Sequence, residues 1–172
     1  ALHHITTETL EGILACLVGQ GETSQAQAVF QELEGLCAFL EDNQEWRGLA
    51  LARLRGRLSA GDLMGVTVGR LHAAEAEEML TAVIPYFEFL GEPAARYLVD
   101  VLGEEPDRKR RGRLLDVIRV MGPIAIPALQ EGLHSPTWYI VRNTLNLLAD
   151  MGDAGLLSDV EACLRHTDGR VR

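Results

Sequence analysis

Aromatic side chains are scarce in this sequence, at 5% of 172 positions. The apolar core must therefore come largely from Leu and Ala, residues that suit closely packed helices, and an all-α class is favoured. Cysteine is scarce as well. Cys16, Cys37 and Cys163 are odd in number and show no C-x-x-C spacing, which argues against a disulfide framework or a zinc site and fits a reducing, cytoplasmic setting. Cys16 and Cys37 have apolar neighbours and read as buried thiols. Long hydrophobic runs are missing: no stretch approaches the roughly 18 residues of a membrane span. The opening ALHHITTE lacks the apolar core of a secretion signal. Basic residues number 16 against 25 acidic ones, a net charge of −9, and such a chain is repelled by phosphate backbones, which disfavours nucleic acid as a partner. The excess sits in residues 1–80, with 12 acids against 5 bases; residues 81–172 carry 13 against 11.

What is present reads as a folded helical chain. Hydrophobic residues at 47% and charged residues at 24% are ordinary globular values. In the N-terminal half, Leu10, Ile13, Leu14 and Leu17 share one helical face that ends at Gly19–Glu22. Ser24 and Gln27 form a candidate capping box for a second helix, whose apolar stripe is Ala26, Phe30, Leu33, Cys37 and Leu40. Trp46, Ala50, Leu54 and Leu58 mark a third helix, stopped by Ser59–Asp62. A short fourth over Leu63–Leu71 is weakened by Gly65, Val66, Thr67 and Val68, all poor helix formers. Residues 1–72 are read as an N-terminal helical region of degenerate pairs or a cap.

From residue 73 onward the pattern becomes periodic. Ala76, Leu80, Val83, Phe87 and Leu90 form a stripe closed by Gly91, with Pro85 inside it predicting a kink. Helices follow over Pro93–Leu102, Lys109–Met121, Pro123–Leu133, Trp138–Met151 and Ala154–Leu164. Gly91, Gly122 and Gly152 punctuate this array at intervals of 31 and 30, each suited to the C′ position of the helix before it. The phrase WYIVRNTLNLLADMGD is a closer spelling of RKRRGRLLDVIRVMGP, with Met-Gly in register. A repeat of this length signals stacked helical pairs, because one hairpin cannot cover its own apolar side.

These residues resemble HEAT repeats, in the short form common in bacterial proteins and found also in phycobilisome-lyase-like proteins. The resemblance rests on PIAIPALQEGL, the following turn and WYIVRNTLNLLADMGD, with Val141-Arg142 as the family's Val-Arg pair, repeated at Val171-Arg172, and Asp168 as its turn aspartate. It covers residues 92–172 and departs from the pattern at Arg111-Gly112 and at Thr137. It implies a right-handed α-α superhelix of antiparallel helix pairs over residues 73–172. It also implies a ladder of hydrogen bonds from Asp168 to the repeated arginines. The chain starts at Ala1, and Val171-Arg172 would open a further helix, so the natural protein is expected to continue or to cover this edge by self-association.

A helical wheel of the last clear second helix gives a buried arc of Val141, Thr144, Leu145, Leu148 and Met151, flanked by Trp138, Ile140 and Leu147. Opposite lie Tyr139, Arg142, Asn143, Asn146 and Asp150. Stepping back by the repeat adds Lys109, Gly112, Arg113, Asp116 and Val120, then Glu78, Thr81, Ala82, Pro85 and Phe89. In the resembled family this face is concave. The expected function is a non-catalytic scaffold or adaptor that holds a protein partner with Lys109, Arg113, Asp116, Tyr139, Arg142, Asn143, Asn146 and Asp150, since Tyr and Arg anchor many interfaces. The alternative implied by the resemblance is a bilin-attachment factor or enzyme accessory subunit, which an absorbance change of added bilin would reveal.

No cofactor and no catalytic group is read here. The basic run Arg108 to Arg111 with Arg113 opposes the helix macrodipole and has Glu104, Glu105 and Asp107 nearby to neutralise it. His3 and His4 are near a terminus. His72 with Glu75, Glu77 and Glu78 lacks the H-E-x-x-H spacing of a zinc helix, and His134 and His166 fall in turns.

Overall fold

A computed structural model describes the backbone of residues 2–39, 44–151 and 157–172, and the side chains of residues 8–35, 48–151 and 160–172. Every regular element among the described residues is helical. None is long and apolar enough to cross a membrane. Gly152 and Ala154, and the side chains of His3, His4, Cys37, Leu40 and Trp46, lie outside the described residues. The chain divides into two compact units, Ala1–Leu90 and Gly91–Arg172.

The first unit contains α1 (Leu2–Gly19), α2 (Thr23–Phe39), α3 (Gln44–Leu58) and α4 (Gly61–Ala73), then α5 (Ala76–Glu78), a π-helical turn (Met79–Val83) and α6 (Ile84–Leu90). Helix α1 packs on α2, α3 and α4, while α2 and α4 both meet the π turn and α2 also meets α6. Residues 73–90, grouped by period with the repeats, thus pack against N-terminal helices. The inner face of α1 is carried by Leu14 and Val18, and Ile13 is 47% exposed. Cys16, expected among buried thiols, is exposed; its neighbours in sequence are apolar, but its side of α1 faces outward. Helix α2 begins before Ser24. The Glu22 carbonyl accepts the Ala26 N–H at 3.0 Å, and Gln25 Nε2 donates to Glu22 Oε2 at 3.0 Å, so Ser24 lies inside the helix and not at the cap position expected of it. Helix α4 forms despite its poor formers because Leu63, Met64, Thr67, Val68 and Leu71 are all buried, and packing overrides weak propensity.

The expected disturbance at Pro85 is a π turn just ahead of it. Proline lacks an N–H and its ring crowds the carbonyl four residues back. Here the Ile84 N–H donates five residues back, to Met79 O, which inserts one extra residue into the turn. One residue of an α-helix is about 100° of rotation, so the two ends of the expected stripe face different ways: Val83, Phe87 and Leu90 are buried, whereas Leu80 is 62% exposed and Ala76 is also exposed.

The second unit contains α7 (Glu92–Glu104), α8 (Arg108–Met121), a 3-10 turn (Gly122–Ala125), α9 (Ile126–Gly132), α10 (Trp138–Met151) and α11 (Leu157–Cys163). Gly91 at φ 74° and Gly122 at φ 53° adopt a conformation that other residues avoid, as their punctuating role requires. Helices α7 and α8 pack together, as do α9 and α10; in addition α7 meets α9 and α8 meets α10. The shared core includes Leu98, Leu102, Leu114, Ile118, Leu129, Val141, Leu147 and Leu148. Of the expected buried arc, Val141, Thr144 and Leu148 are buried, but Leu145 and Met151 are only half-buried. Two glycines set the closest approaches. A methyl on Gly103 would lie 2.5 Å from Ile140 Cδ1, and one on Gly132 would lie 2.7 Å from Thr144 Oγ1.

Candidate functional site

Helix α8 begins where Asp107 adopts an extended conformation and its Oδ1 accepts the Arg110 N–H at 2.8 Å. This backbone bonding, with the Lys109 N–H adding to it, holds the Asp107 carboxyl below the usual carboxylate range. Helix α10 begins at the Ser135-Pro136-Thr137 turn: the Thr137 N–H donates to Ser135 Oγ at 3.2 Å, and its carbonyl accepts the Ile140 N–H at 3.0 Å. Both starts are thus fixed by local hydrogen bonds.

Between them opens a groove of about 350 Å³, lined among others by Leu102, Pro106, Arg111, Trp138, Tyr139 and Arg142. Asn143 also reaches it, and Glu104 and Glu105 edge it. Trp138, placed by its period at the edge of the buried arc, is half-buried with cations on its ring. The Arg170 guanidinium carbon lies 3.8 Å from its centroid and that of Arg142 5.7 Å, a cation–π arrangement. Tyr139 meets Trp138 edge to face at 5.7 Å and is 41% exposed. Arg111 donates to the carbonyls of Glu105 at 2.8 Å and Pro106 at 2.6 Å, which ties the α7–α8 loop to α8.

The eight expected contact residues all sit on α8 or α10, but in separate groups. Tyr139, Arg142 and Asn143 belong to the groove. Asp116 and Asp150 are drawn together at the other end by Arg119, which reaches Asp116 at 3.1 Å and Asp150 at 2.9 Å. Lys109 is exposed on the first turn of α8, Asn146 is exposed between the groups, and Arg113 is half-buried. Val120, at 50% exposed, is the apolar end of this stretch. The earlier members of the expected strip belong to the first unit. There Glu78 pairs with Arg70 at 2.8 Å, and Phe89 packs on Phe30 at 5.0 Å instead of ending an apolar strip.

One expectation about charge is corrected and a second is refined. The expected ladder from Asp168 to Arg142 and Arg172 is absent among the described residues. Asp168 is held by Arg170 at 2.6 Å, and the guanidinium keeps its carboxyl well below the usual range; Arg142 is over Trp138, and Arg172 donates to the His166 carbonyl at 3.1 Å. The acids beside the basic run act on it by proximity, the charges of Arg110 and Arg111 reaching Asp107, and not through side-chain ion pairs. Asp107 is committed to backbone N–H groups, and Arg108, Lys109 and Arg110 form no side-chain ion pair among the described residues. Cations at a helix N-terminus oppose its dipole. Arg110→Glu should therefore raise stability by about 0.3–1 kcal/mol, completing an Asp-x-x-Glu capping box; a urea melt showing a loss would contradict the assigned start of α8.

His166 keeps its turn position, its Nδ1 accepting the Asp168 N–H at 3.0 Å. No cluster of three metal-ligating side chains occurs among the described residues. Comparison with protein-family models, with characterised proteins and with solved structures finds no match to this chain.

Proposed function

We propose that this chain is a non-catalytic, protein-binding segment of a HEAT-like α-α solenoid, using the outward polar face of α8 and α10 as its contact surface. The observation that carries the reading is that like helix packs on like: α7 on α9 and α8 on α10, as well as each helix on its hairpin partner. That arrangement is what stacked units of a helical repeat require. The seam carries matching ion pairs, Arg96 with Glu131 between the first helices and Arg119 with Asp150 between the second. Exposed pairs of this kind add little stability, so the core residues beneath them hold the stack. The contact face keeps Tyr139, Arg142, Asn143 and Asn146 out of that core, and its amphipathic aromatic and guanidinium groups suit a protein partner.

The test is capture of a protein partner by the immobilised chain. Tyr139→Ala combined with Arg142→Glu should abolish capture while circular dichroism shows unchanged helicity. Capture that persists in the double variant removes the reading.

A further inference from the structure

We propose that the groove at the starts of α8 and α10 accepts an acidic peptide segment, whose carboxylates meet Arg108, Arg111 and Arg142 while an adjoining apolar side chain rests on Pro106 and Tyr139. This rests on the protein-binding reading above and names the chemistry of the partner. The first support is an excess of positive charge. In the same unit Arg96, Arg119 and Arg170 each hold a carboxylate. Arg108, Lys109 and Arg110 hold none among the described residues. Arg111 uses Nη1 for two neutral carbonyls, and Arg142 lies over an aromatic ring. Five cations, Arg108, Lys109, Arg110, Arg111 and Arg142, therefore outnumber the three nearby carboxylates, Glu104, Glu105 and Asp107, in a chain whose net charge is −9. Arg108 and Arg111 are three residues apart, hence neighbours on the helix surface.

The second support is shape. Arg111 and Arg142 line a groove of about 350 Å³ with apolar surface from Leu102 and Pro106, large enough for a side chain. Arg111 is fixed by its two carbonyl bonds and Arg142 by its ring contact, so a carboxylate finds pre-positioned guanidinium groups capable of bidentate pairing. Glu104 and Glu105 edge the same groove. They would repel a continuous phosphate backbone, and Trp138 is half-buried with Arg142 and Arg170 close to its ring, which hinders base stacking. A peptide can keep its carboxylates on the arginine side and its apolar residue toward the glutamates, which favours peptide over nucleic acid.

The experiment is fluorescence anisotropy of the full chain with a labelled peptide of repeating Glu-Glu-Leu, a Lys-Lys-Leu peptide and a single-stranded oligonucleotide. The expected result is saturable binding of the acidic peptide alone, weakened by salt, with affinity lowered about tenfold in Arg108→Glu/Arg142→Glu. Absence of saturable binding, an unchanged affinity in that variant, equal binding of the basic peptide, or tighter binding of the oligonucleotide would each overturn it. Arg108→Glu, in the first turn of α8, favours the helix and the Arg142 side chain on α10 is exposed, so lost binding is not lost folding, and circular dichroism checks this. Arg108→Glu/Arg110→Glu separates the two readings. If it captures a protein partner as well as the wild type while Tyr139→Ala does not, the acidic-segment inference falls and the protein-binding reading stands; if neither variant loses capture, both fall.

Discussion

Phe30→Ala should lower the unfolding free energy by about 3–5 kcal/mol, the range for emptying a buried aromatic site. The Phe30 side chain is fully buried. Its ring meets Phe89 edge to face, with centroids 5.0 Å apart and planes at 69°, a geometry that adds to simple area burial. Arg55 lies over both rings, 5.2 Å from Phe30 and 5.3 Å from Phe89, and is steadied there by Glu34 at 2.7 Å. Removing one ring therefore leaves a cavity and also withdraws a face from a partly desolvated cation. Urea melts of the wild type and the variant measure the difference. A loss below about 1 kcal/mol would mean that α2 and α6 do not share this core.

Phe30 itself was legible in the sequence, because a stripe at helical spacing depends only on its own helix. Its partner was not. Phe89 falls on an outward strip when the wheel is stepped back one repeat from α8, a step that fails because α6 packs on α2, and the π turn at Met79–Val83 further resets the register between the two halves of that helix. The same limit appears at Leu80, expected inside and found 62% exposed. Periodicity assumes a constant rise and rotation, and one inserted residue is enough to misplace everything on one side of it. Helix ends fared better where a backbone demand was strong: Gly91 and Gly122 take positive φ as their positions after helices suggest.

The candidate site divides along a similar line. That Tyr139, Arg142 and Asn143 share a face follows from their spacing on α10. The Arg119 link between Asp116 and Asp150 was half legible, since Asp116 and Arg119 are three apart, while the reach to Asp150 needs the packing of α8 on α10. Arg170 over Trp138 joins residues from a turn and a helix, and nothing local announces it. The basic run was legible as charge but not as geometry. The nearest acid, Asp107, bonds backbone N–H groups at the helix start while the charges of Arg110 and Arg111 also hold its carboxyl down, so it acts on the run without closing a side-chain ion pair.

Gly132→Leu should destabilise the second unit by about 3 kcal/mol, the upper end of overpacking costs, whereas Gly112→Ala should stabilise it by about 0.5–1 kcal/mol. Both glycines are in helices of that unit, so composition alone would treat them alike. Their surroundings decide the sign. A first carbon on Gly132 would lie 2.7 Å from Thr144 Oγ1 and 3.4 Å from Val99 Cγ1. Thr144 is buried and β-branched, hence stiff about χ1, and cannot swing aside as a long side chain would. The contact also joins α9 to α10 and to α7, so a bulky residue must part a helix pair or push one pair from the other. At Gly112 nothing lies within 4 Å of the added carbon, and alanine only removes freedom from the unfolded chain and improves the propensity of α8. Paired urea melts give both values. If Gly132→Leu were tolerated within about 0.5 kcal/mol, α9 and α10 would not approach as closely as the stacked arrangement demands, and the protein-binding face built on that stack would lose its frame.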